Sequence, residues 1–508
     1  MSAGLEEHMD QRPKRALGAA VWVVLALVAC LYVAILNGGP LYYFDSGGYL
    51  ENGYKILQQV GVIAPAQTVD AVADGASVAH DATPNSVNGS RSVVYSLFSS
   101  VIGFGIGLKS LPLFHAVLVF WGVYLPIRVA CRLYDPDQRF AALFAAPIIA
   151  AGFGALPFYV AFLMPDILTG LILLIISTLT VFGRDMRWGE VLAALILSGL
   201  AVTSHLSHLA IVALMVPLSI VAAILLDRRR WWLPALCVTA ILGIGIAERL
   251  SFDVAVEAVE GAEVVYYPFL TARIVADGPG YTYLERHCPN AAIPTCALYE
   301  ALSVSSDPWR LTASHIMFEK SPRLGSFRLM TEADQQVVAN GQVRFFLSVF
   351  LDQPIATIGA LLGNTFEQAR MNSVEMTIPV EGGVQNLSAI SSIPAEFFPK
   401  GSISRDARWL PLVETLHRAV YVVSVIVIVG MVFWPGSVPI ELKAFAVMLV
   451  LGILVNAFVC GGISQPATRY GGRVIWLLPF LATLLVMFST WANPGMNLTR
   501  KNSLKSDL

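Results

Sequence analysis

Residues 16–36, ALGAAVWVVLALVACLYVAIL, form an uninterrupted apolar run that follows a short basic stretch. A run of this length crosses ~30 Å of hydrocarbon as an α-helix. It is longer than a signal-peptide core and lacks a small-residue cleavage site, so we predict a retained first membrane span. Similar runs recur along the chain, whereas the alternating ten-residue strands of a membrane barrel are not seen. The pattern predicts an all-α polytopic membrane protein.

The composition agrees with a membrane protein. The 508-residue chain is 56% hydrophobic and 13% charged, and its mean hydropathy of +0.66 lies far above that of soluble domains. The net charge of -2 gives no indication of nucleic-acid binding. The apolar runs predict about ten spans, at 16–37, 110–132, 138–162, 167–183, 188–206, 208–226, 232–250, 410–434, 441–461 and 473–492.

The distribution of positive charge predicts the orientation, since basic residues gather on the cytoplasmic side of membrane proteins. An even number of spans places both termini on one side, and five basic groups fall on that side. We therefore predict cytoplasmic termini in a bacterial inner membrane, with the opposite face periplasmic. The five groups are Arg12, Lys14 and Arg15; Arg132 and Arg139; Arg184 and Arg187; Arg228, Arg229 and Arg230; and Arg500, Lys501 and Lys505.

This topology divides the chain into three parts. Residues 1–250 form an N-terminal membrane module with a first extracytoplasmic loop at 38–109, and residues 410–508 form a second membrane module with a cytoplasmic tail. Residues 251–409 between them lie outside the membrane. Cys288 and Cys296 in this region are predicted to form a disulfide in an oxidising compartment.

Two apolar segments are predicted to lie in the membrane interface rather than to cross it. One is VVYSLFSSVIGFGIGL at 93–108, which is rich in Gly and Ser. The other is VRFFLSVFLDQPIATIGALLGNTFEQ at 343–368, where Asp352 and Pro354 interrupt the run.

Two acids lie at predicted span ends on the extracytoplasmic face: Asp45 in YYFDSGGYL (42–50) and Asp166 in AFLMPDILTGL (161–171). A carboxylate at a membrane boundary is costly unless water, a partner or a metal reaches it, so both are candidate catalytic residues. A simpler alternative stays open for each. Asp45 could form a turn, and Asp166 could cap the following helix.

Basic residues lie on the same face. Arg469 and Arg473 in QPATRYGGRV (465–474) are placed where positive charge is disfavoured, so they are predicted to bind a lipid phosphate or, alternatively, to reach headgroups by snorkelling. His205 and His208 in TSHLSHLA (203–210) have a spacing compatible with metal ligation, but no third ligand is evident, so a divalent metal is left open. The remaining predicted substrate-binding residues are Tyr43, Tyr49, Arg91, Glu248, Arg249 and Tyr470.

The order of these features resembles the GT-C superfamily, polytopic glycosyltransferases that include aminoarabinose, protein-mannosyl and lipid A galacturonosyl transferases. The resemblance covers mainly residues 16–226. It implies a sugar donor linked to polyprenyl phosphate, Asp45 as base or as metal or substrate ligand, and Asp166 as the second acid. It also implies that the histidines and the arginine pair contact the lipid phosphate. Two features depart from the family: histidines replace a lysine-containing motif, and no second acid accompanies Asp45.

The sequence therefore predicts an inverting membrane glycosyltransferase. It would move a hexose or pentose from a polyprenyl-phosphate donor to a lipid, glycan or protein acceptor on the extracytoplasmic face. Three alternatives stay open: a transporter or flippase of lipid-linked glycans, which predicts charges in mid-span and discontinuous helices, a glycan polymerase or ligase with a lipid-pyrophosphate donor, and a scaffold for assembly.

Overall fold

The structure is a computed structural model that describes residues 3–63, 86–134, 140–290, 292–379 and 408–490, with short stretches at 393, 397–399 and 401–403. Side chains are described from residue 17 in the first helix. Arg139, the basic tail from Arg500 onward and the side chains of Arg12, Lys14 and Arg15 lie outside the described parts, as does the polar loop segment 64–85.

The described chain is a helical membrane protein, which confirms the predicted fold class. Its helices are α1 (Ala3–Asn37), α2 (Phe44–Gln59), α3 (Val93–Gly105), α4 (Leu111–Tyr134), α5 (Phe140–Gly152), α6 (Leu156–Ala161), α7 (Ile167–Phe182), α8 (Trp188–Thr203), α9 (Leu206–Leu226), α10 (Trp232–Glu260), α11 (Phe269–Ala276), α12 (Pro279–His287), α13 (Cys296–Leu302), α14 (Ala313–Phe318), α15 (Glu332–Asn340), α16 (Gln342–Asp352), α17 (Pro354–Arg370), α18 (Leu410–Phe433), α19 (Ile440–Ala457), α20 (Thr468–Ile475) and α21 (Leu477–Met487). A π-helical turn, Phe458–Ser464, continues α19.

Short pieces complete the secondary structure. The two strands are β1 (Ser86–Asn88) and β2 (Glu263–Val265), and they pair in parallel. The 3-10 turns are Leu108–Ser110, Gly183–Asp185, Pro308–Leu311, Phe327–Leu329 and Glu375–Thr377.

Within the described residues, eight helical segments are long and apolar enough to cross a membrane. A bent helix pair, α16 and α17, would be a ninth if it crossed as one span. The eight segments are Leu17–Asn37, Leu108–Tyr134, Ile167–Asp185, Leu206–Leu226, Trp232–Glu260, Leu410–Phe433, Ile440–Ser464 and Thr468–Met487.

Two of the ten predicted spans differ from continuous membrane-length helices. The run at 138–162 is divided into α5 and α6, because the chain turns at Phe153 and Gly154 and the Ala155 N–H donates to the Tyr421 hydroxyl at 2.9 Å. The run at 188–206 forms α8, whose 16 residues extend about 24 Å, less than the hydrocarbon thickness. Apolar composition alone did not reveal either limit.

Helix α7 is the centre of the membrane module. Every residue from Ile167 to Phe182 is buried, and α4, α8, α9 and α19 surround the helix. A helix enclosed on all sides has no water-facing side, which explains why α7 carries no charged residue. Asp166 lies immediately before this central helix, so the fold places it inside the protein.

Helices α2 and α3, which lie in the predicted first loop at 38–109, pack closely against each other. A side chain at Gly53 of α2 would meet the Ser96 carbonyl oxygen of α3 at 2.3 Å, so only glycine allows this approach. The parallel pair β1–β2 joins the stretch just before α3 to the start of the 263–349 region. That region has its own small core, which includes Leu284, Phe327 and Phe345.

Candidate functional site

Backbone hydrogen bonds hold the segment that leads to Asp45 beside the segment that leads to Asp166. The Leu41 N–H donates to the Ala161 carbonyl at 2.8 Å, and the Leu163 N–H donates back to Leu41 at 2.9 Å. The Ser46 hydroxyl accepts from the Tyr43 N–H at the start of α2 and donates to the Leu163 carbonyl at 2.9 Å. The first turn of α2 is thereby fixed beside the segment that leads into α7.

Asp45 lies in that first turn of α2 and pairs with two arginines. Its Oδ1 is 3.3 Å from Nη2 of Arg91, and its Oδ2 is 3.3 Å from Nη1 of Arg469. A side chain at Gly48 would lie 2.3 Å from Nη1 of Arg91, so this glycine makes room for the guanidinium. Asp45, Asp166, Arg91, Arg469 and Arg473 are called the acid–arginine cluster. The Asp45 side chain is 39% exposed, which leaves its carboxylate accessible from outside this cluster.

Asp166 is fully buried and faces the arginine helix, α20, which carries Arg469 and Arg473. Its Oδ1 lies 3.4 Å from Nε of Arg469 and 3.5 Å from Nη1 of Arg473. Its side chain makes no capping hydrogen bond to α7, so the capping alternative does not describe it. Among the described residues, neither oxygen has a hydrogen-bond partner of good geometry, and neither do the facing Arg469 Nε and Arg473 Nη1.

The arginine pair is presented by the short helix α20, and α17 determines where that helix begins. The buried amide of Gln368 accepts from the Ala467 N–H at 2.9 Å and donates to the Ala467 carbonyl at 3.0 Å. Side chains at Gly471 and Gly472 would collide with the Met371 carbonyl and the Tyr159 hydroxyl. The glycines of RYGGR therefore permit close packing of α20 against the segment after α17 and against α6.

Arg473 is completely buried and is held by polar groups of two membrane helices. Its Nη2 donates to Asn456 Oδ1 at 2.9 Å and to Ser207 Oγ at 3.1 Å, and it lies 3.0 Å from the Cys460 sulfur. Asn456 in turn donates to the Tyr470 carbonyl at 2.8 Å. These contacts fix the guanidinium against Asp166.

The two histidines have different surroundings. His208 is buried, and its nitrogens lie 2.6 Å from the Thr169 hydroxyl and 2.6 Å from the Ala201 carbonyl, so both have protein partners. His205 caps α9: its Nδ1 accepts from the Ser207 N–H at 3.1 Å and lies 2.8 Å from the Ser207 hydroxyl. Because Ser207 also contacts Arg473, His205 adjoins the cluster, whereas His208 is held in the core.

Aromatic rings enclose the arginines. The Arg469 guanidinium carbon lies 4.9 Å from the Tyr43 ring centre and 5.0 Å from that of Tyr470, and the Arg473 carbon lies 4.9 Å from Tyr470. Cations favour such ring faces, most strongly where water is scarce. Tyr49 is buried one turn after Asp45 and packs edge-to-face on Tyr95.

Three other predictions lie apart from the acid–arginine contacts. Arg249 pairs with Glu248 at 3.3 Å and donates to the Gly89 carbonyl at 3.2 Å, which ties α10 to the end of β1. Cys288 and Cys296 are joined by a disulfide in the 263–349 region. Within the described structure, these residues form no hydrogen bond or ion pair with Asp45 or Asp166.

The charges of the cluster determine its electrostatics. Burial raises the pKa of Asp45, but Arg469 and Arg91 outweigh it, so the net pKa lies below the ordinary value and the carboxyl is ionised. Three arginines, Arg91, Arg469 and Arg473, face the two acids Asp45 and Asp166, so the formal charges of the five residues sum to one positive charge. Among the described residues, no group of three or more His, Cys, Asp and Glu could hold a metal ion.

The sequence analysis did not identify several residues that support the site. Asn456, Ser207 and Gln368 orient the arginine helix, and Tyr159 donates to the Arg469 carbonyl at 2.7 Å. Asn456 offered a signal, because it is a polar side chain within an apolar span. Gln368 offered none, since its partner Ala467 lies 99 positions away.

The fold and the site define a polytopic helical membrane protein with a buried acid–arginine cluster at the ends of its spans. No family model matches the chain, and no curated protein matches it. Two solved structures of ArnT from Cupriavidus metallidurans are similar to it in fold. The apo structure has 15% identity over 93% of this chain and 76% of that chain, with a TM-score of 0.33. The structure bound to undecaprenyl phosphate has 14% identity over 92% of this chain and 76% of that chain, with a TM-score of 0.32.

Proposed function

We propose that this protein is a membrane glycosyltransferase that uses a sugar donor linked to a polyprenyl phosphate. The observation that carries the proposal is the position of Arg469 between two carboxylates, 3.3 Å from Asp45 and 3.4 Å from Asp166. Asp45 is partly exposed and can accept a proton, and the buried guanidinium of Arg469 beside it can bind an anion. Both lie at the ends of apolar spans, where a lipid-linked donor would present its head.

The chemistry requires both groups. An acceptor hydroxyl attacks the anomeric carbon, so that a carbon–oxygen bond forms while the bond from that carbon to the phosphate oxygen breaks. The phosphate leaves with the bonding electron pair, and the hydroxyl proton passes to Asp45. Arg469 and Arg473 would stabilise the phosphate as its charge grows, since guanidinium groups match phosphate oxygens in geometry.

The charge balance supports a donor with one phosphate. The single positive charge left by three arginines and two carboxylates matches a phosphodiester, which carries one negative charge. A bound phosphate would also draw Arg469 away from Asp45 and so make this carboxylate a stronger base. We infer that donor binding prepares Asp45 for proton transfer.

Donor consumption by the full chain in proteoliposomes tests the proposal. The probes are geranylgeranyl-phosphate-linked glucose, galactose, mannose and aminoarabinose, supplied with a lipid extract as acceptor, and mass spectrometry detects free geranylgeranyl phosphate. Asp45→Asn should lower the rate by about 10²–10⁴-fold, the range for losing a general base. Asp352→Asn is the matched control, because Asp352, at the end of α16, pairs with Arg286 of the 263–349 region at 2.6 Å, apart from Asp45 and Asp166. Equal rates for parent and Asp45→Asn would exclude the catalytic role.

One observation favours a transporter of lipid-linked glycans as the second candidate. Helices are interrupted at the site, between α6 and α7 and again between α19 and α20, and transporters often bind substrates at such breaks. A transporter would move a fluorescent geranylgeranyl-phosphate sugar between leaflets without breaking it. Leaflet exchange that is unaffected by Asp45→Asn, with no free phosphate formed, would favour this alternative.

A further inference from the structure

Helix α17 presents an apolar surface that no described part of the chain covers. From Pro354 to Phe366, every position of high exposure carries an apolar side chain or glycine. Ile355 is 87% exposed, Leu362 60% and Phe366 59%, and charged side chains appear only at the end of the helix. Side chains added at Gly359 or Gly363 would meet nothing within 4 Å.

The opposite face of α17 is packed against the membrane module. A side chain at Gly461 of the π-helical turn would lie 2.5 Å from the Asn364 carbonyl of α17, and one at Gly462 would lie 3.3 Å from the Leu361 carbonyl. This backbone-close contact fixes α17 to the end of the membrane helix Ile440–Ser464. The exposed surface of α17 therefore lies beside the end of a helix that is long and apolar enough to cross the membrane.

The bend between α16 and α17 limits how the pair can meet the bilayer. The helix direction changes by 116° between α16 and α17, with the break at Gln353 before Pro354. The apolar arc of α17 extends about 20 Å along its axis, which exceeds one hydrocarbon leaflet of ~15 Å but falls short of two. A straight crossing is excluded by this geometry.

We propose that the exposed arc of α17 is a lipid-contact surface, occupied by the acyl chains of the bilayer leaflet nearest the candidate site. Arg370 fits this placement, since it lies in the last turn of α17, where charged residues follow the apolar arc. Its guanidinium carbon lies 3.9 Å from the Phe366 ring centre. The same helix carries Gln368, which holds Ala467 two positions before Arg469. Lipid contact on one face of α17 thus supports the arginine helix on the other.

Fluorescence quenching in lipid nanodiscs tests this surface independently of any catalytic activity. Ile355→Cys and Leu362→Cys in the full chain are labelled with an environment-sensitive fluorophore, and Ser306→Cys, at an exposed polar position of the 263–349 region, is the matched control. The parent chain gives the background, because its free cysteines are buried or half-buried. Doxyl-labelled lipids should quench the two α17 positions about twofold or more relative to the control, as for a helix inserted among acyl chains.

Two results would overturn the proposal. Quenching of both α17 positions by aqueous iodide, to the level of the Ser306→Cys control, would place this surface in water. Protection from both iodide and doxyl lipid would mean that a second copy or another protein covers it. Elution of each labelled variant at the parent's size excludes misfolding as the cause of either result.

Discussion

Nη1 of Arg469 lies 3.3 Å from Oδ2 of Asp45, although 424 positions of the sequence separate the two residues. Each end of this contact has its own support: Ser46 and Leu163 fix the start of α2, and Gln368 fixes the start of α20. The contact therefore joins parts of the chain that belong to the two predicted membrane modules. Its loss would affect both the binding of an anion and the relative position of the modules.

Arg469→Lys should weaken anion binding although the positive charge is retained. A lysine ammonium cannot contact Asp45 and Asp166 through two separate nitrogens while lying flat between the rings of Tyr43 and Tyr470. We expect the affinity for geranylgeranyl phosphate to fall about 10–100-fold, which corresponds to one charge-assisted hydrogen bond of ~1.5–3 kcal/mol. Microscale thermophoresis in detergent measures this affinity.

Arg286→Lys is the control for that measurement, since Arg286 pairs with Asp352 outside the cluster. Geranylgeraniol, which has no phosphate, tests whether the loss concerns the anion. An unchanged affinity of Arg469→Lys for the phosphate would contradict a direct role of the guanidinium.

Asp166→Ala should destabilise the protein by about 3–5 kcal/mol, the cost of removing one partner from a buried ion pair. The guanidinium of Arg473 is completely buried, and Asp166 is its only acidic partner among the described residues. The free energy of unfolding in detergent, from urea titration or a shift in melting temperature, measures the effect.

The double variant Asp166→Leu with Arg473→Met separates charge from packing. If the loss comes from an unpaired buried charge, the double variant should be less destabilised than the sum of its single variants. Additive losses would mean that Asp166 stabilises the fold without its charge. Neither variant should retain transfer, whatever its stability.

Much of this site could be predicted from the sequence, because its residues are charged where the surrounding sequence is apolar. Asp45 and Asp166 are carboxylates near predicted span ends, and Arg469 is a cation on the face where the predicted topology disfavours positive charge. What could not be predicted was which of them meet. His205 and His208 have the same residue type and lie three positions apart, yet one adjoins the cluster through Ser207 and the other has both nitrogens occupied.

The fold shows the same limit. Apolar composition correctly indicated helices, and Asp352 and Pro354 correctly indicated a break, which the structure has at Gln353. The turn at Gly154 depends on a hydrogen bond from Ala155 to Tyr421, 266 positions away. Long-range partners of this kind leave no local pattern, so the division of α5 from α6 could not be read from residues 138–162.

The lowered pKa of Asp45 predicts the pH range of its contribution to stability. A carboxyl whose pKa is lower in the folded than in the unfolded chain stabilises the fold above its ordinary value of 3.8, and this contribution disappears as the pH falls through the lower value. The melting-temperature difference between the parent and Asp45→Asn should therefore stay constant from about pH 8 to pH 5. A difference that shrinks within this range would mean that burial, rather than Arg469 and Arg91, controls the pKa.

Gly471→Ala should damage the site without removing any functional group. The added methyl would collide with the Met371 carbonyl of the segment after α17, a backbone atom that cannot move aside as a side chain can. We expect a loss of about 1–3 kcal/mol in unfolding free energy, typical of overpacking, together with weaker binding of geranylgeranyl phosphate as Arg469 shifts. Gly363→Ala is the matched control, since a methyl there meets nothing within 4 Å and alanine favours the helix. If both variants have the parent's melting temperature and affinity, α17 does not hold the arginine helix as closely as the contact at Met371 requires.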